Sequence, residues 1–168
     1  GESLEVWMFE IKNEGKKVRS LTVNTFVEFC LWDALNDMTD YQYNLNIGET
    51  LYKDNTIYHI SRYRVENKYY AFLTCSNTKA NSFDSDRTSY LGPYGSFESP
   101  LAVRNGKGSN SIASGWSPVG SQFFKLKFKP GETKTLIFIM GYSEKQGEVA
   151  IITKKFKTKN LVNNELDK

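Results

Sequence analysis

The chain has 168 residues, of which 39% are hydrophobic, 24% charged and 14% aromatic, with 22 basic against 19 acidic side chains and a formal charge of +3. That length fits one domain with a core large enough to need no disulfide or metal. A charge this small and this dispersed argues against nucleic acid or an acidic membrane as partner, and no apolar run reaches a membrane span or a secretory leader.

The high aromatic content favours a β-rich domain, because Tyr and Phe cover pleated surfaces well. Leu4–Asn13 (LEVWMFEIKN) reads as a strand and NEGKK as a turn. Val18–Leu31 resumes an alternating pattern, and the two runs are expected to form an antiparallel hairpin. Gly1 leads almost directly into a strand, which suggests a chain cut from a longer polypeptide.

Cys30–Glu49 (CLWDALNDMTDYQYNLNIGE) follows neither a helical nor a strand period. Trp32, Tyr41 and Tyr43 stand among Asp33, Asn36, Asp37, Asp40, Gln42, Asn44 and Asn46. Flat rings beside carboxylates and amides suit a sugar, covering its C–H faces and bonding its hydroxyls. The same composition also suits an ordered connection whose aromatics plug the side of a core.

Short strands then recur: Thr50–Lys53, a turn at Asp54-Asn55, Ile57–Val65, a turn at Asn67-Lys68, and Tyr69–Cys75. Such spacing favours an antiparallel β-sandwich. Ser76–Gly120 is rich in Ser, Gly, Asn and Asp, holds Pro93, Pro100 and Pro118, and reads as a long irregular stretch. Ser121–Lys129 and Thr133–Tyr142, joined by Pro130-Gly131-Glu132, read as a second hairpin. The sandwich is expected to fill residues 1–153, with 154–168 an exit segment or the start of a linker helix.

Cys30 and Cys75 are expected to be buried free thiols, as in a reducing cytoplasm, and His59 a satisfied strand histidine. No His and Cys set has the spacing of a metal site. Asp84 and Asp86 in SFDSDRTS could form a metal or acid–base pair or an Asx turn. Arg87 would then hold those carboxylates, a substrate or a loop ion pair. RNGKGSNS (Arg104–Ser111) has some features of a phosphate cradle but not the GxxxxGK[ST] spacing. Glu28, in an otherwise apolar run, is either an acid or a partner for loop backbone. Trp116 is either a lid on the core edge or a sugar platform.

Three segments, VEFCLWDALNDMTDYQYNLNIGE (Val27–Glu49), FDSDRTSYLGPYGSFESPLAV (Phe83–Val103) and SNSIASGWSPVGS (Ser109–Ser121), together resemble the N-terminal β-sandwich of the cellobiose phosphorylase family, glycoside hydrolase family 94. The resemblance implies an all-β supersandwich of the galactose-mutarotase-like kind, followed in the full enzyme by linker helices and an (α/α)6 barrel that holds the catalytic acid. It implies inverting phosphorolysis of a β-glucoside, a cello-oligosaccharide or related glucobiose, to α-glucose 1-phosphate. No cofactor is implied, since inorganic phosphate is a substrate. It further implies a cytoplasmic homodimer assembled through this domain. The loop matching MTDYQYN borders the acceptor side in that family, where the pattern is close to TNFQRN. Carried over, Asp40 replaces the usual Asn, Gln42 matches, and Tyr43 replaces an Arg. Tyr offers one hydroxyl and a stacking face where an Arg fork bonds several hydroxyls, so an acceptor preference unlike plain cellobiose is expected. The alternative from another class is a non-catalytic carbohydrate-binding β-sandwich module.

Overall fold

The computed structural model describes residues 3–29, 48–60, 70–115 and 117–166. Nine strands are named within them: β1 (Leu4–Lys12), β2 (Arg19–Asn24), β3 (Val27–Glu28), β4 (Glu49–Lys53), β5 (Thr56–Ile60), β6 (Tyr70–Cys75), β7 (Ser82–Asp86), β8 (Pro118–Phe128) and β9 (Thr133–Ser143). Two short helices, α1 (Arg87–Leu91) and α2 (Leu101–Asn105), follow β7, and two longer ones, α3 (Gln146–Lys155) and α4 (Lys159–Leu166), follow β9.

The strands form two antiparallel sheets. One has the order β1-β9-β6-β5-β4, and in the other β8 carries β2 and β3 on one path and also pairs with β7. Alternation along β8 and β9 builds the layers. Phe124, Leu126 and Phe128 pack between the sheets with Leu136, Phe138 and Cys75, whereas Phe123 points outward against Tyr90, Leu91 and Ala102 of α1 and α2. On the far face, Tyr58, Phe72, Ile137 and Ile139 are covered by Val149, Phe156 and Val162 of the C-terminal helical segment. The expected sandwich is therefore present with helices on both outer faces.

Both expected hairpins are arches between sheets. β1 pairs with β9, from Leu4 opposite Gly141 to Lys12 opposite Thr133, and β2 pairs with β8. Alternation specifies which face of a strand is apolar but does not say whether the next strand lies beside it or across the core. The choice is made by Asn13, which is buried and ties the two connections together. Its Nδ2 donates to Lys17 O (2.8 Å) and Lys129 O (3.1 Å), its Oδ1 accepts from Gly15 N, and its backbone N–H reaches Glu132 O. The turn at Asp54-Asn55 does make a hairpin, with Lys53 opposite Thr56. Both turn residues have positive φ, 50° and 66°, as a two-residue type I′ turn requires.

Two further expectations change. The long second run is interrupted at Thr25-Phe26, so it appears as β2 and β3 laid along β8. The stretch 76–120 contains β7, α1 and α2. Helix begins at Gln146, and α3 runs through residues 153 and 154. Lys159 on α4 bonds Glu10 of β1 at 2.8 Å, and this contact holds the Glu10 carboxyl below its usual range.

Candidate functional site

The described parts of the three segments singled out in the sequence converge at the β8 start of the sandwich. Val27 and Glu28 pair with Gly120 and Val119, Asp84 sits opposite Ser121, and Thr50 lies hydroxyl to hydroxyl with Ser85 at 2.5 Å. Gly120 is needed there, since a Cβ would stand 2.8 Å from Phe29 and 2.9 Å from Val27.

Residues 30–47, and with them the predicted contacts Asp40, Gln42 and Tyr43, lie outside the described residues, as do Cys30 and Trp116. The described structure fixes the points where that segment leaves and returns. It leaves after Phe29, which is 3% exposed and stacks on His59 with centroids 5.3 Å apart and planes at 12°. It returns at Gly48, where a Cβ would lie only 2.3 Å from His59 Nε2. One imidazole therefore touches both attachment points.

His59 is 1% exposed and neither ring nitrogen has a hydrogen-bond partner among the described residues. This corrects the expectation of a satisfied strand histidine. Desolvation disfavours the charged ring and lowers its pKa to about 4, so it is neutral near pH 7. A ring without a partner orients no general base. Cys75 is also a poor nucleophile, because it is a buried free thiol whose pKa burial pushes upward.

The return strand is tied to the 109–115 run. Gly48 O accepts from Gly115 N, Thr50 N donates to Ala113 O, and Ala113 N donates to Thr50 Oγ1. Ser85 Oγ adds a bond to Ser111 O at 2.9 Å.

The cradle-like run closes on a group of the protein itself. Asp84 is fully buried, and its Oδ1 receives Ser109 N (2.9 Å), Ser109 Oγ (2.7 Å), Ser111 N (3.2 Å) and Ser111 Oγ (2.8 Å). These donors hold an internal carboxylate where a phosphate could otherwise sit. Asp86 caps α1, its Oδ2 accepting from Ser89 N and Ser89 Oγ at 2.7 Å each. The two aspartates are thus structural, and no cluster of three potential metal ligands occurs among the described residues.

Arg87 pairs with neither of them. Its Nε donates to Glu28 Oε1 at 2.9 Å and its guanidinium lies 4.9 Å from the Phe97 ring. Glu28 therefore binds a cation and not loop backbone. Beside this pair the 92–100 loop exposes Tyr94 fully and Phe97 by half. Sequence reasoning missed the Arg87–Glu28 pairing because the partners are 59 positions apart. It also missed the part played by His59, for which the one local signal was Gly48 at the head of an alternating run.

The glycosyl hydrolase 94 supersandwich domain model matches residues 1–159. The chain is a glycosyl hydrolase 94 supersandwich domain. This supersandwich domain is 30% identical over 148 residues to an N,N'-diacetylchitobiose phosphorylase of Vibrio proteolyticus and 27% identical to one of Vibrio furnissii, with 88% of the chain covered in each case. It is 25% identical to a solabiose phosphorylase of Paenibacillus borealis over 92% of the chain. The supersandwich domain spans only 18–20% of the length of these relatives. No described helix is long and apolar enough to cross a membrane.

Proposed function

We propose that this domain belongs to an inverting glycoside phosphorylase that cleaves a β-linked disaccharide or short oligosaccharide with inorganic phosphate, releasing a sugar 1-phosphate. The observation that carries the reading is membership of the supersandwich family over residues 1–159, with phosphorylases among the relatives. Inversion needs phosphate to attack the anomeric carbon opposite the leaving oxygen while one acid protonates that oxygen. Phosphate takes the place of the base-activated water of a hydrolase, so one carboxyl group suffices. That acid is assigned to the (α/α)6 barrel of the full enzyme. This domain contributes recognition: Asp40, Gln42 and Tyr43 form a wall of the acceptor subsite, at the end of the sandwich where Phe29 and Gly48 are anchored. Assembly as a cytoplasmic homodimer is part of the same reading.

The substitution of Tyr43 for the Arg of the family pattern supports an acceptor other than plain cellobiose. Phosphorolysis of cellobiose, cellotriose, laminaribiose and N,N'-diacetylchitobiose by the full-length enzyme tests this. Cleavage of one of the last three in preference to cellobiose is the expected result, and a strong preference for cellobiose overturns the acceptor assignment. Gln42→Ala is expected to raise KM for the cleaved sugar with KM for phosphate unchanged.

A further inference from the structure

We infer that the flank of the sandwich where β1 faces β2 across an apolar cleft is a self-association surface, covered by a second copy of this chain that lays its own β1 antiparallel against this one. The inference deepens the homodimer reading above by naming the face that assembles.

Three observations carry it. The first is the pair of edges. β1 ends the five-stranded sheet, and β2 lies on one side of β8 with β7 on the other, so among the described residues both sheets present an edge strand here. β1 keeps one unbroken register with β9 over nine residues and has no proline or bulge to blunt its free edge against further pairing.

The second is what lies between the edges. A cleft of about 270 Å³ opens there, lined in part by Trp7, Phe9, Val23, Phe26 and Val27. Leu21 lies opposite the inward-facing Leu126. Trp7, Phe9 and Leu21 turn toward the gap yet stay 53%, 47% and 45% exposed. An apolar row left wet in this way marks a contact surface.

The third is the order of the residues along β1, which complements itself when turned end for end. The gap-facing row reads Glu5, Trp7, Phe9, Ile11. An antiparallel pairing centred on Met8 sets Trp7 opposite Phe9 of the second copy, twice by symmetry. It also sets Glu5 opposite Ile11 of the second copy, and Ile11 shares a surface hollow with Arg19. Each Glu5 carboxylate is thereby brought to the other copy's Arg19, so opposite charges meet at both ends of the aromatic row. On the other side of the strand Val6 meets Glu10 and Leu4 meets Lys12, so no like charges oppose each other. Centring on Trp7 or on Phe9 instead would set Glu5 against Phe9 or Asn13 and lose the charge pairs.

Sedimentation velocity on the full-length enzyme tests this, and a dimer is the expected state. Glu5→Arg and Arg19→Glu are each expected to raise the dimer dissociation constant at least about tenfold, and the double variant Glu5→Arg/Arg19→Glu to recover most of that loss. Trp7→Lys/Phe9→Lys is expected to leave monomer. All four side chains are exposed in the domain, so these variants are expected to fold. Met8→Cys, at the centre of the pairing, is expected to form an intermolecular disulfide under mild oxidation that the unaltered enzyme does not form.

A dimer unmoved by the charge and aromatic variants overturns this face and leaves the homodimer reading standing. An unaltered enzyme that is monomeric overturns both. Slow maleimide labelling of Trp7→Cys in that monomer would identify the rest of the polypeptide as what covers the flank.

Discussion

The two ends of the sandwich bury a polar side chain in opposite ways. At the arch end, Asn13 donates to two backbone carbonyls of the adjoining connections and accepts from Gly15 N. At the other end of β8, His59 lies in the core with no polar partner among the described residues. The first end is what a stable fold asks for, since each buried group meets a complement. The second buries a ring against Phe29 and Gly48 by shape and stacking alone among the described residues. The difference teaches that one sandwich can seat a buried polar side chain by hydrogen bonding at one end and by ring packing at the other.

The comparison can be broken most forcefully beside the His59 end, at the carboxylate cradle. Asp84→Ala takes the acceptor from four part-buried donors, two amides and two hydroxyls, and is expected to cost about 3–4 kcal/mol by urea denaturation. If stability were unchanged, the Ser109–Ser111 run would not be organised by that carboxylate. At the arch end, Asn13→Ala should cost about 2–3 kcal/mol through the carbonyls it leaves without a donor. A loss below about 0.5 kcal/mol would remove the contrast between the ends.

Acid sharpens the comparison. The folded pKa of His59 is lowered to about 4 from the ordinary 6.5, so the unfolded chain binds more protons between those values. Stability due to this group is complete above about pH 6.5, declines as pH falls, and levels off below about 4. Between pH 7 and 5 the loss is about 2 kcal/mol, and His59→Gln should remove that part of the slope. Denaturation midpoints across this range, read in parallel for the two proteins, check it. The smallest effect is expected from Arg87→Ala. Its pair with Glu28 is about one-third exposed on each side and should contribute under 1 kcal/mol, falling further in high salt.

The face of each strand was legible in the sequence, and its partner often was not. Alternation in SQFFKLKFK placed Phe124 and Leu126 on one side and Phe123 on the other, as found. The same alternation suggested hairpins where the chain crosses between sheets, because connections of four and six residues span either gap. Asp54-Asn55 was decisive, since only a two-residue turn with both φ values positive joins those strands. Within 76–120, the short helices α1 and α2 are five residues each and too brief for a helical period to show. At the site, the Asx reading of Asp86 matched its capping bond to Ser89. The missing GxxxxGK[ST] spacing had argued against phosphate at the cradle, but Asp84 as its anion was not legible, because a loop rich in amides and hydroxyls suits any anion and the sequence does not say that the anion is the protein's own. The two contacts of His59 escaped notice because stacking and a missing Cβ leave no trace in charge or periodicity.

The pairing of β1 with β9 also has a consequence for the newborn chain. Leu4 meets Gly141, so β1 lacks its β9 partner until that later strand has emerged from the ribosome. At about 5–20 residues per second, that interval is roughly ten seconds. Trp7 and Phe9, half-exposed even in the finished fold, spend it in water on an unprotected edge, where a chaperone would find them first.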